Sequence, residues 1–281
     1  MKLEHYNDYL TIEKDAIAWR YMNFSKIYEL LSKNQIFFAR LDSFNDPLEG
    51  MPLQYKLQIH LKNISKTERE DDPLKQLMAI NPSRFKLTKS QIDAWQQGVF
   101  ASCWYLTENT DLNVIQKFNN HHESLAMWGL FGDTYSFLLK IEFSSLLKLI
   151  SESLEDFSDP EISEAMYGKI EYLTLYADSQ RNFPKTPHRS LIKDLSYRHE
   201  NELRFMLMRK NLIDETNNRK GITLNLRNKI TEITPKIDVL CHPNMDFEVY
   251  KTFKPKFEAL GVKMIYSQLI TKEIINSFIQ E

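Results

Sequence analysis

Glycine is scarce in this chain, and that scarcity limits the folds and sites that it can form. Only seven of the 281 residues are glycine, and none has the spacing of a dinucleotide-binding loop, a phosphate-binding P-loop or a nucleophile elbow. Those motifs need glycine where the backbone turns sharply or approaches a phosphate closely. We therefore expect no classical Rossmann site, P-loop ATPase or α/β-hydrolase.

Apolar runs and helical stretches follow one another without a regular alternation. A strand is predicted at residues 17–22, with Asn23 as the cap of a following helix, and the run QIFFAR predicts a second strand over Gln35–Arg40. Further strands are predicted at 99–105, 135–143, 169–176, 223–226, 237–240 and 262–266 and directly after Glu202, with helices at 123–131 and 253–260. This irregular order indicates an α+β fold.

Composition and size favour a single folded domain over residues 1–281. Hydrophobic residues make up 42% of the chain and charged residues 26%, which is typical of globular proteins. Residues 51–97 are polar and helical in composition, and we predict a helical insertion there. With 36 basic and 38 acidic residues, the chain gives no strong nucleic-acid signal.

Cysteine usage and the N-terminal segment predict a cytoplasmic protein. Cys103 and Cys241 have neither zinc-site spacing nor the density of a disulfide scaffold. No apolar run approaches the roughly 20 residues that span a bilayer, so no membrane partner is expected. The run from His121 to Glu123 lacks the second histidine of an HExxH helix, so we predict no metal site from local spacing.

Glu200 and Glu202 stand one residue apart where an apolar run begins, with Arg204 two residues further on. In a strand the two carboxylates share a face, whereas in a turn they converge on one ligand. Close carboxylates raise one another's pKa or stabilise a cationic transition state. The alternative is a structural ion pair between Glu202 and Arg204.

Several further positions are candidates for binding a ligand. Arg20, beside Tyr21, has the donors to bind a phosphate. The alternative is a structural arginine whose aliphatic side-chain carbons cover the core. Ser102 places a hydroxyl in a central strand. Asn45 and Asp46 either hold a ligand or close an Asx-turn. Trp128 is most simply a core residue, with a pocket wall as the alternative.

Motifs along most of the chain, from about residue 15 to 267, resemble the bacterial domain-of-unknown-function 2971 family. The resemblance rests most specifically on the FNDPLE loop at residues 44–49 and on the late Glu200-x-Glu202-x-Arg204 element. Further matches are WRYM at 19–22, FFA at 37–39, SCW at 102–104 and ES-AMW at 123–128. The family name implies a fold relationship and no activity.

A more distant pattern is similar to that of ADP-ribosyltransferases, which carry an arginine, a serine and a glutamate on successive strands. Arg20, Ser102 and Glu200-x-Glu202 have this order. The resemblance implies that NAD is bound across a split sheet without a glycine-rich loop. It also implies that Arg20 holds a phosphate or the nicotinamide ribose, Ser102 supports the ribose, Glu202 stabilises the ribosyl cation and Glu200 orients the acceptor.

We therefore predict an α+β fold, with a mixed, mostly antiparallel split sheet flanked by helices and the helical insertion. The leading hypothesis is an ADP-ribosyltransferase-like protein that acts on NAD or a related nucleotide as a toxin or phage-defence effector. Its catalytic residues would be Glu202, Glu200 and Arg20. The nucleotide would be held by Arg20, Tyr21, Asn45, Asp46, Ser102 and Trp128. NAD is expected as a substrate, no bound cofactor is firmly implied, and the macromolecular acceptor is undetermined.

Two other functions stay open from the sequence. One is a non-enzymatic sensor or interaction module in which the charged residues are structural. The other is a metal-dependent nuclease with Asp46, Glu200 and Glu202 as carboxylate ligands.

Overall fold

A computed structural model describes residues 1–53, 55–56, 59, 88–108, 123–174, 188–210, 219–233, 237–267 and 269. Its strands are β1 (Leu3–His5), β2 (Ile17–Asn23), β3 (Gln35–Arg40), β4 (Val99–Thr107), β5 (Ser136–Glu142), β6 (Ile162–Lys169), β7 (Glu171–Leu173), β8 (Ile192–Asp194), β9 (Glu202–Arg209), β10 (Gly221–Asn225), β11 (Asp238–Cys241) and β12 (Lys263–Ile265). Its α-helices are α1 (Phe24–Lys33), α2 (Lys89–Gln97), α3 (Leu125–Phe131), α4 (Phe143–Glu155), α5 (Ile230–Ile233) and α6 (Phe247–Glu258).

The fold is α+β, as the sequence predicts. One large sheet has the order β1-β6-β9-β4-β2-β5-β11-β12, and β3 joins β4 to β10 beside this path. The pairs β1–β6 and β11–β12 are parallel, while the central pairs are antiparallel. Strands β7 and β8 form a separate parallel pair. Helices flank the large sheet, in agreement with the predicted architecture.

The sheet forks along β4. One edge of β4 pairs with β9 from Val99 to Tyr105. The other edge pairs first with β3, through Phe100 and Ala101, and then with β2, starting at Tyr105. Residues 102–104 lie between these two ladders, so the sheet is split at this point.

The two faces of the sheet have different roles. Successive side chains of a strand point to opposite faces. Phe100 and Trp104 of β4, with Leu203 and Phe205 of β9, belong to the main hydrophobic core. Cys103 contacts a second, smaller apolar cluster on the other face. Glu202 and Arg204 also point to that second face, because they alternate with Leu203 and Phe205.

Helix α1 begins where the sequence predicts. Asn23 has an extended backbone, and its side chain accepts a hydrogen bond from the N–H of Lys26 at 3.0 Å. The buried residues Ile27, Leu30 and Leu31 lie on the face toward the core. Asn34 then ends the helix in a left-handed conformation with φ 57°.

Several elements differ from the sequence prediction. The strand predicted at 169–176 is wrong in its bounds: β6 ends at Lys169 and β7 is a separate short strand. The sequence analysis did not predict the strands β1, β6 and β8 or the helices α4 and α5. The apolar residues of α4 recur at helical spacing, but they directly follow β5, so the apolar run hides the change of period.

Most of the predicted helical insertion lies outside the described residues, as do His121 and His122. Its described end is α2, where Thr88 and Gln91 form a capping box. Within the described ranges, no helix is both long and apolar enough to cross a membrane.

Candidate functional site

A cavity of about 340 Å³ opens on the second face of the sheet, beside the fork. That volume falls within the range of small-ligand sites. Aromatic side chains form much of its wall: Trp19, Tyr21, Phe44, Trp104, Tyr105, Phe131 and Tyr197. Its ionisable lining residues include Arg20, Asp46, Glu49, Lys193, Glu200 and Glu202. The cavity therefore combines an apolar wall with a densely charged floor.

A tight turn brings the two glutamates together. Glu200 ends a 3-10 helix over Leu195–Glu200, and Glu202 begins β9. Between them, Asn201 has φ 34° and ψ 57°, a left-handed conformation that asparagine tolerates better than most residues. The side chain of Asn201 donates to the carbonyl of Leu106 and so fixes the turn on β4. Both carboxylates consequently reach the same cavity.

Arg204 is the centre of a buried ion network. Its side chain is fully buried, and its Nε lies 2.8 Å from Glu202 Oε1. Its Nη1 lies 2.7 Å from Glu49 Oε1 and also donates to the carbonyl of Ser190 at 2.6 Å. Arg204 Nη2 also donates to the second oxygen of each carboxylate, so the pairs of Arg204 with Glu49 and with Glu202 are both bidentate. Arg204 thus ties the loop that carries Glu49 to the strand that carries Glu202.

Lys193 of β8 lies between the same carboxylates. Its Nζ is 2.5 Å from Glu200 Oε2, 2.9 Å from Glu202 Oε2 and 3.9 Å from Glu49 Oε2. Burial lowers the pKa of Lys193, but the three carboxylates outweigh that effect and leave the pKa raised above its ordinary value. Lys193 is therefore a permanent cation at the floor of the cavity.

The two glutamates differ in their electrostatics. Burial raises the pKa of Glu202, but Arg204 and Lys193 outweigh it and hold the pKa well below the ordinary value. Burial raises the pKa of Glu200 above its ordinary value in spite of Lys193. Glu202 is thus a fixed anion, suited to stabilising positive charge. Glu200 is the better placed of the two to exchange a proton.

The FNDPLE loop, which follows β3, also lines the cavity. Asp46 closes an Asx-turn, because its Oδ1 accepts from the N–H of Leu48 at 2.8 Å. Gly50 then takes φ 70°, and Glu49 points inward to Arg204. Asn45 is exposed at the cavity, whereas Asp46 is buried. The FNDPLE loop is therefore both a turn and a part of the wall.

Arg20 fills the fork in the sheet. Its Nη1 donates to Ser102 Oγ at 2.9 Å, and its Nη2 donates to the carbonyl of Phe37 at 3.2 Å. Its guanidinium carbon lies 5.2 Å from the ring centre of Trp104. Burial lowers the pKa of Arg20 to about 10, so it stays charged at neutral pH. Arg20 lines the cavity, but its donors are directed at neighbouring strands.

The structure brings together most of the predicted site residues. Arg20, Tyr21, Asn45, Asp46, Glu200 and Glu202 line the cavity. Ser102 is fully buried behind Arg20 and does not line it. Trp128 is also fully buried; its ring packs edge-on against Tyr21 at 4.9 Å, and its Nε1 donates to Glu123. Ser102 and Trp128 therefore support the wall from behind.

The sequence prediction did not include Glu49, Lys193, Tyr105 and Tyr197 as site residues. Glu49 belongs to the FNDPLE loop, yet its partner Arg204 is 155 residues away in the sequence. Lys193 has one usable sequence signal, since it is a single lysine directly after the apolar pair Leu191–Ile192. Tyr105 and Tyr197 carry no local signal for a cavity.

The described part of the chain contains no group of three or more histidine, cysteine or acidic residues placed to hold a metal ion. The carboxylates of Glu49, Glu200 and Glu202 surround Lys193 instead, so an ammonium group occupies the position between them. Comparison with protein-family models gives no match, and comparison with curated proteins gives none either.

Proposed function

We propose that the cavity binds a nucleotide such as NAD and that the protein is an ADP-ribosyltransferase-like enzyme. The observation that carries the proposal is the shared cavity of Glu202, Glu200 and Arg20, with aromatic rings around them. Aromatic walls suit the flat rings of a nucleotide, and a fixed carboxylate suits a developing ribosyl cation.

In the proposed reaction, the bond between the ribose C1′ and the nicotinamide nitrogen breaks first, and its electron pair leaves with nicotinamide. The positive charge that develops on the ribose is stabilised by Glu202, whose pKa stays far below neutrality because of Arg204 and Lys193. An acceptor nucleophile then bonds to C1′, and Glu200 takes the proton that the acceptor loses.

The proposal assigns a narrower role to Arg20 than the sequence resemblance implies. Both terminal nitrogens of Arg20 already donate to Ser102 and Phe37. Arg20 therefore shapes the cavity wall and supplies a positive charge at the fork. We propose that the protein acts in the cytoplasm as a toxin or phage-defence effector. Its two cysteines, Cys103 and Cys241, are free thiols, which suits a reducing compartment.

The proposal is tested by incubating the purified protein with NAD and a cell lysate. Nicotinamide release and ADP-ribosyl transfer are measured for the wild type and for Glu202→Gln. We expect Glu202→Gln to lower the rate at least a hundredfold, because one preorganised electrostatic group contributes about that much. The matched control is Glu171→Gln, a buried glutamate on β7 that accepts from Tyr9 outside the cavity.

Equal rates for wild type and Glu202→Gln, with both proteins folded by circular dichroism, would remove Glu202 from the reaction. Absence of nicotinamide release by the wild type, with NAD and lysate both present, would reject the transferase proposal.

A non-enzymatic binding module is the second candidate, and one observation favours it. Both carboxylate oxygens of Glu202 already accept hydrogen bonds from Arg204, and Oε2 also forms an ion pair with Lys193. Such a network can serve stability alone. In that case Glu202→Gln lowers the unfolding temperature while ligand binding persists and no NAD turnover occurs in either protein.

A nuclease that binds metal through Asp46, Glu200 and Glu202 gains no support from these contacts. Asp46 Oδ1 accepts a hydrogen bond within its own turn, and Lys193 forms ion pairs with both glutamates. These residues would have to release their present partners before they could coordinate a cation together.

A further inference from the structure

We infer that β10 binds an extended peptide segment of another protein, which adds to the open edge of the sheet as a further strand. The site is a groove of about 680 Å³ along this edge, twice the volume of the cavity beside the fork. Within the described part of the chain, the groove and the cavity have no lining residue in common. The inference therefore goes beyond the proposed function and does not rest on it.

Strand β10 has one paired edge and one open edge. Within the described ranges, it pairs only with β3, and the pair is antiparallel. At one end of this ladder the N–H of Arg40 donates to the carbonyl of Lys220 at 3.0 Å, and at the other end the N–H of Leu226 donates to the carbonyl of Asn34 at 2.9 Å. Main-chain groups along a strand point alternately to its two edges. The even-numbered residues of β10 therefore face β3, and the odd-numbered residues face away from it.

Three residues of β10 direct open main-chain groups into the groove. They are Gly221, Thr223 and Asn225, whose N–H and C=O groups form no hydrogen bond with the described residues. The next odd-numbered residue confirms the direction of this edge, because the N–H of Arg227 donates to Ser153 Oγ at 3.0 Å. Unpaired N–H and C=O groups in such a row are a template for another strand.

The spacing of these groups suits a peptide main chain better than a small molecule. A strand advances about 3.4 Å per residue, so the open groups lie about 7 Å apart and span roughly 14 Å from Gly221 to Asn225. A second strand repeats its donors and acceptors at the same interval. A compact ligand reaches only one of the three positions at a time. The groove therefore fits an extended segment about as long as β10, which has 5 residues.

The residues beside the open edge disfavour a second copy of this chain as the occupant. Ser153, near the end of α4, and residues 156–159 line the groove together with β10. A second copy carries the same residues beside its own β10, so the two β10 strands could not lie side by side without moving both of these segments. A single extended peptide has no such obstacle.

The apolar residues along the groove favour a ligand with alternating apolar side chains. Ile222, Leu224 and Leu226 belong to the main hydrophobic core, and Phe157 packs against that core. Thr223, on the other face of the strand, is exposed. Side chains of neighbouring strands pack together on each face of a sheet. The added strand would therefore place apolar side chains on the core side and polar side chains on the other side.

Two ion pairs lie near the ends of β10 and line the same groove. Arg227 Nε lies 2.6 Å from Asp156 Oδ2, and Arg219 Nη1 lies 2.6 Å from Asp159 Oδ2. The two arginine side chains are 35% and 45% exposed, and exposed pairs of this kind contribute little to stability. A ligand can therefore displace them at a small cost. In its absence, charged groups at a sheet edge oppose unspecific pairing.

Selection from a phage-displayed library of random octapeptides, with the full-length protein as the target, tests the inference. Enriched peptides are synthesised with a fluorescent label, and their Kd is measured by fluorescence polarisation. Thr223→Pro removes the N–H that faces the groove, and an open strand edge tolerates proline there. Thr223→Ala is the matched control, because it keeps the main chain. We expect Thr223→Pro to weaken binding at least about tenfold and Thr223→Ala to leave the Kd nearly unchanged.

N-methylated peptides give a second measurement that does not depend on the folding of a variant. Each enriched peptide is made in two versions, with N-methyl groups on its odd-numbered or on its even-numbered residues. Only one of these sets faces β10 in an added strand. One version should therefore lose at least about tenfold in affinity, and the other should lose much less.

Four results would overturn the inference. The first is a library selection without any enriched peptide. The second is equal binding by Thr223→Pro and Thr223→Ala when circular dichroism shows both to be folded. The third is an equal effect of the two methylation patterns. The fourth is a dimer in size-exclusion chromatography that Thr223→Pro converts to a monomer, since this would assign the edge to a second copy.

Discussion

At the scale of single residues, the most consequential contact is the one between Arg204 and the two glutamates on either side of it. A buried charge is tolerated only when it is paired and hydrogen-bonded. Glu49 and Arg204 both have side-chain exposures of 0%, so neither can use water if the other is removed. The proximity of Glu202 and Arg204 in sequence predicts one half of this network. The contact between Arg204 and Glu49 joins residues that are 155 positions apart, and no local sequence pattern predicts it.

We predict that Arg204→Met lowers the free energy of unfolding by about 3–5 kcal/mol, because breaking a buried pair leaves an uncompensated charge. Urea denaturation measures this loss. Arg219→Met is the matched control: Arg219 Nη1 lies 2.6 Å from Asp159, but its side chain is 45% exposed. Loss of that surface pair should cost about 0–1 kcal/mol. Similar losses for the two variants would show that Arg204 does not hold the network together.

At the scale of elements, the sequence predicts well those elements that have local signals, and it does not predict those that are placed by tertiary contacts. Strand β3 and the start of α1 agree with the prediction because a strand with alternating pattern and an asparagine cap are local signals. Strand β6 was not predicted as such, since its sequence ISEAMYGK mixes polar and small residues. Its place between β1 and β9 is set by tertiary contacts.

The fork makes Arg20 a structural part of the sheet. We predict that Arg20→Met lowers the free energy of unfolding by about 1–3 kcal/mol, because the carbonyl of Phe37 and the hydroxyl of Ser102 lose a charged donor. Chemical denaturation of Arg20→Met and of the control Arg227→Met, at an arginine that pairs with Asp156 on the surface, gives the comparison. A loss of ligand affinity in Arg20→Met without any loss of stability would instead assign Arg20 to the ligand.

At the scale of the whole molecule, most of the buried charged residues in the described part of the chain lie at or beside the cavity, although the net charge is only -2. Composition therefore predicts the absence of a long-range field but not the local network. At acidic pH, the free energy of unfolding depends on groups whose pKa is lower in the folded protein than in the unfolded chain. Glu202 is one, because its pKa is lowered and its stabilising effect is lost as the pH falls below the unfolded value of 4.5.

His188 is the second such group and acts at higher pH. Its ring packs edge-on against Tyr6, and its Nδ1 accepts from the N–H of Ser190 at 3.2 Å. Its Nε2 is buried and has no hydrogen-bond partner within the part of the chain that the structure describes. Burial, with Arg189 and Arg204 nearby, lowers the pKa of His188 from 6.5 to about 3. The folded protein therefore keeps this imidazole neutral.

Between pH 6.5 and about 3, the unfolded chain binds one proton at His188 that the folded protein does not bind. The free energy of unfolding should therefore fall as the pH is lowered through this window, by about 1.4 kcal/mol per pH unit from this group. His188→Asn keeps an acceptor for Ser190 and should reduce the slope by that amount, as measured by urea denaturation at several pH values. His199→Asn, at an exposed histidine, is the control. An unchanged slope in His188→Asn would mean that the folded protein protonates His188 as readily as the unfolded chain does.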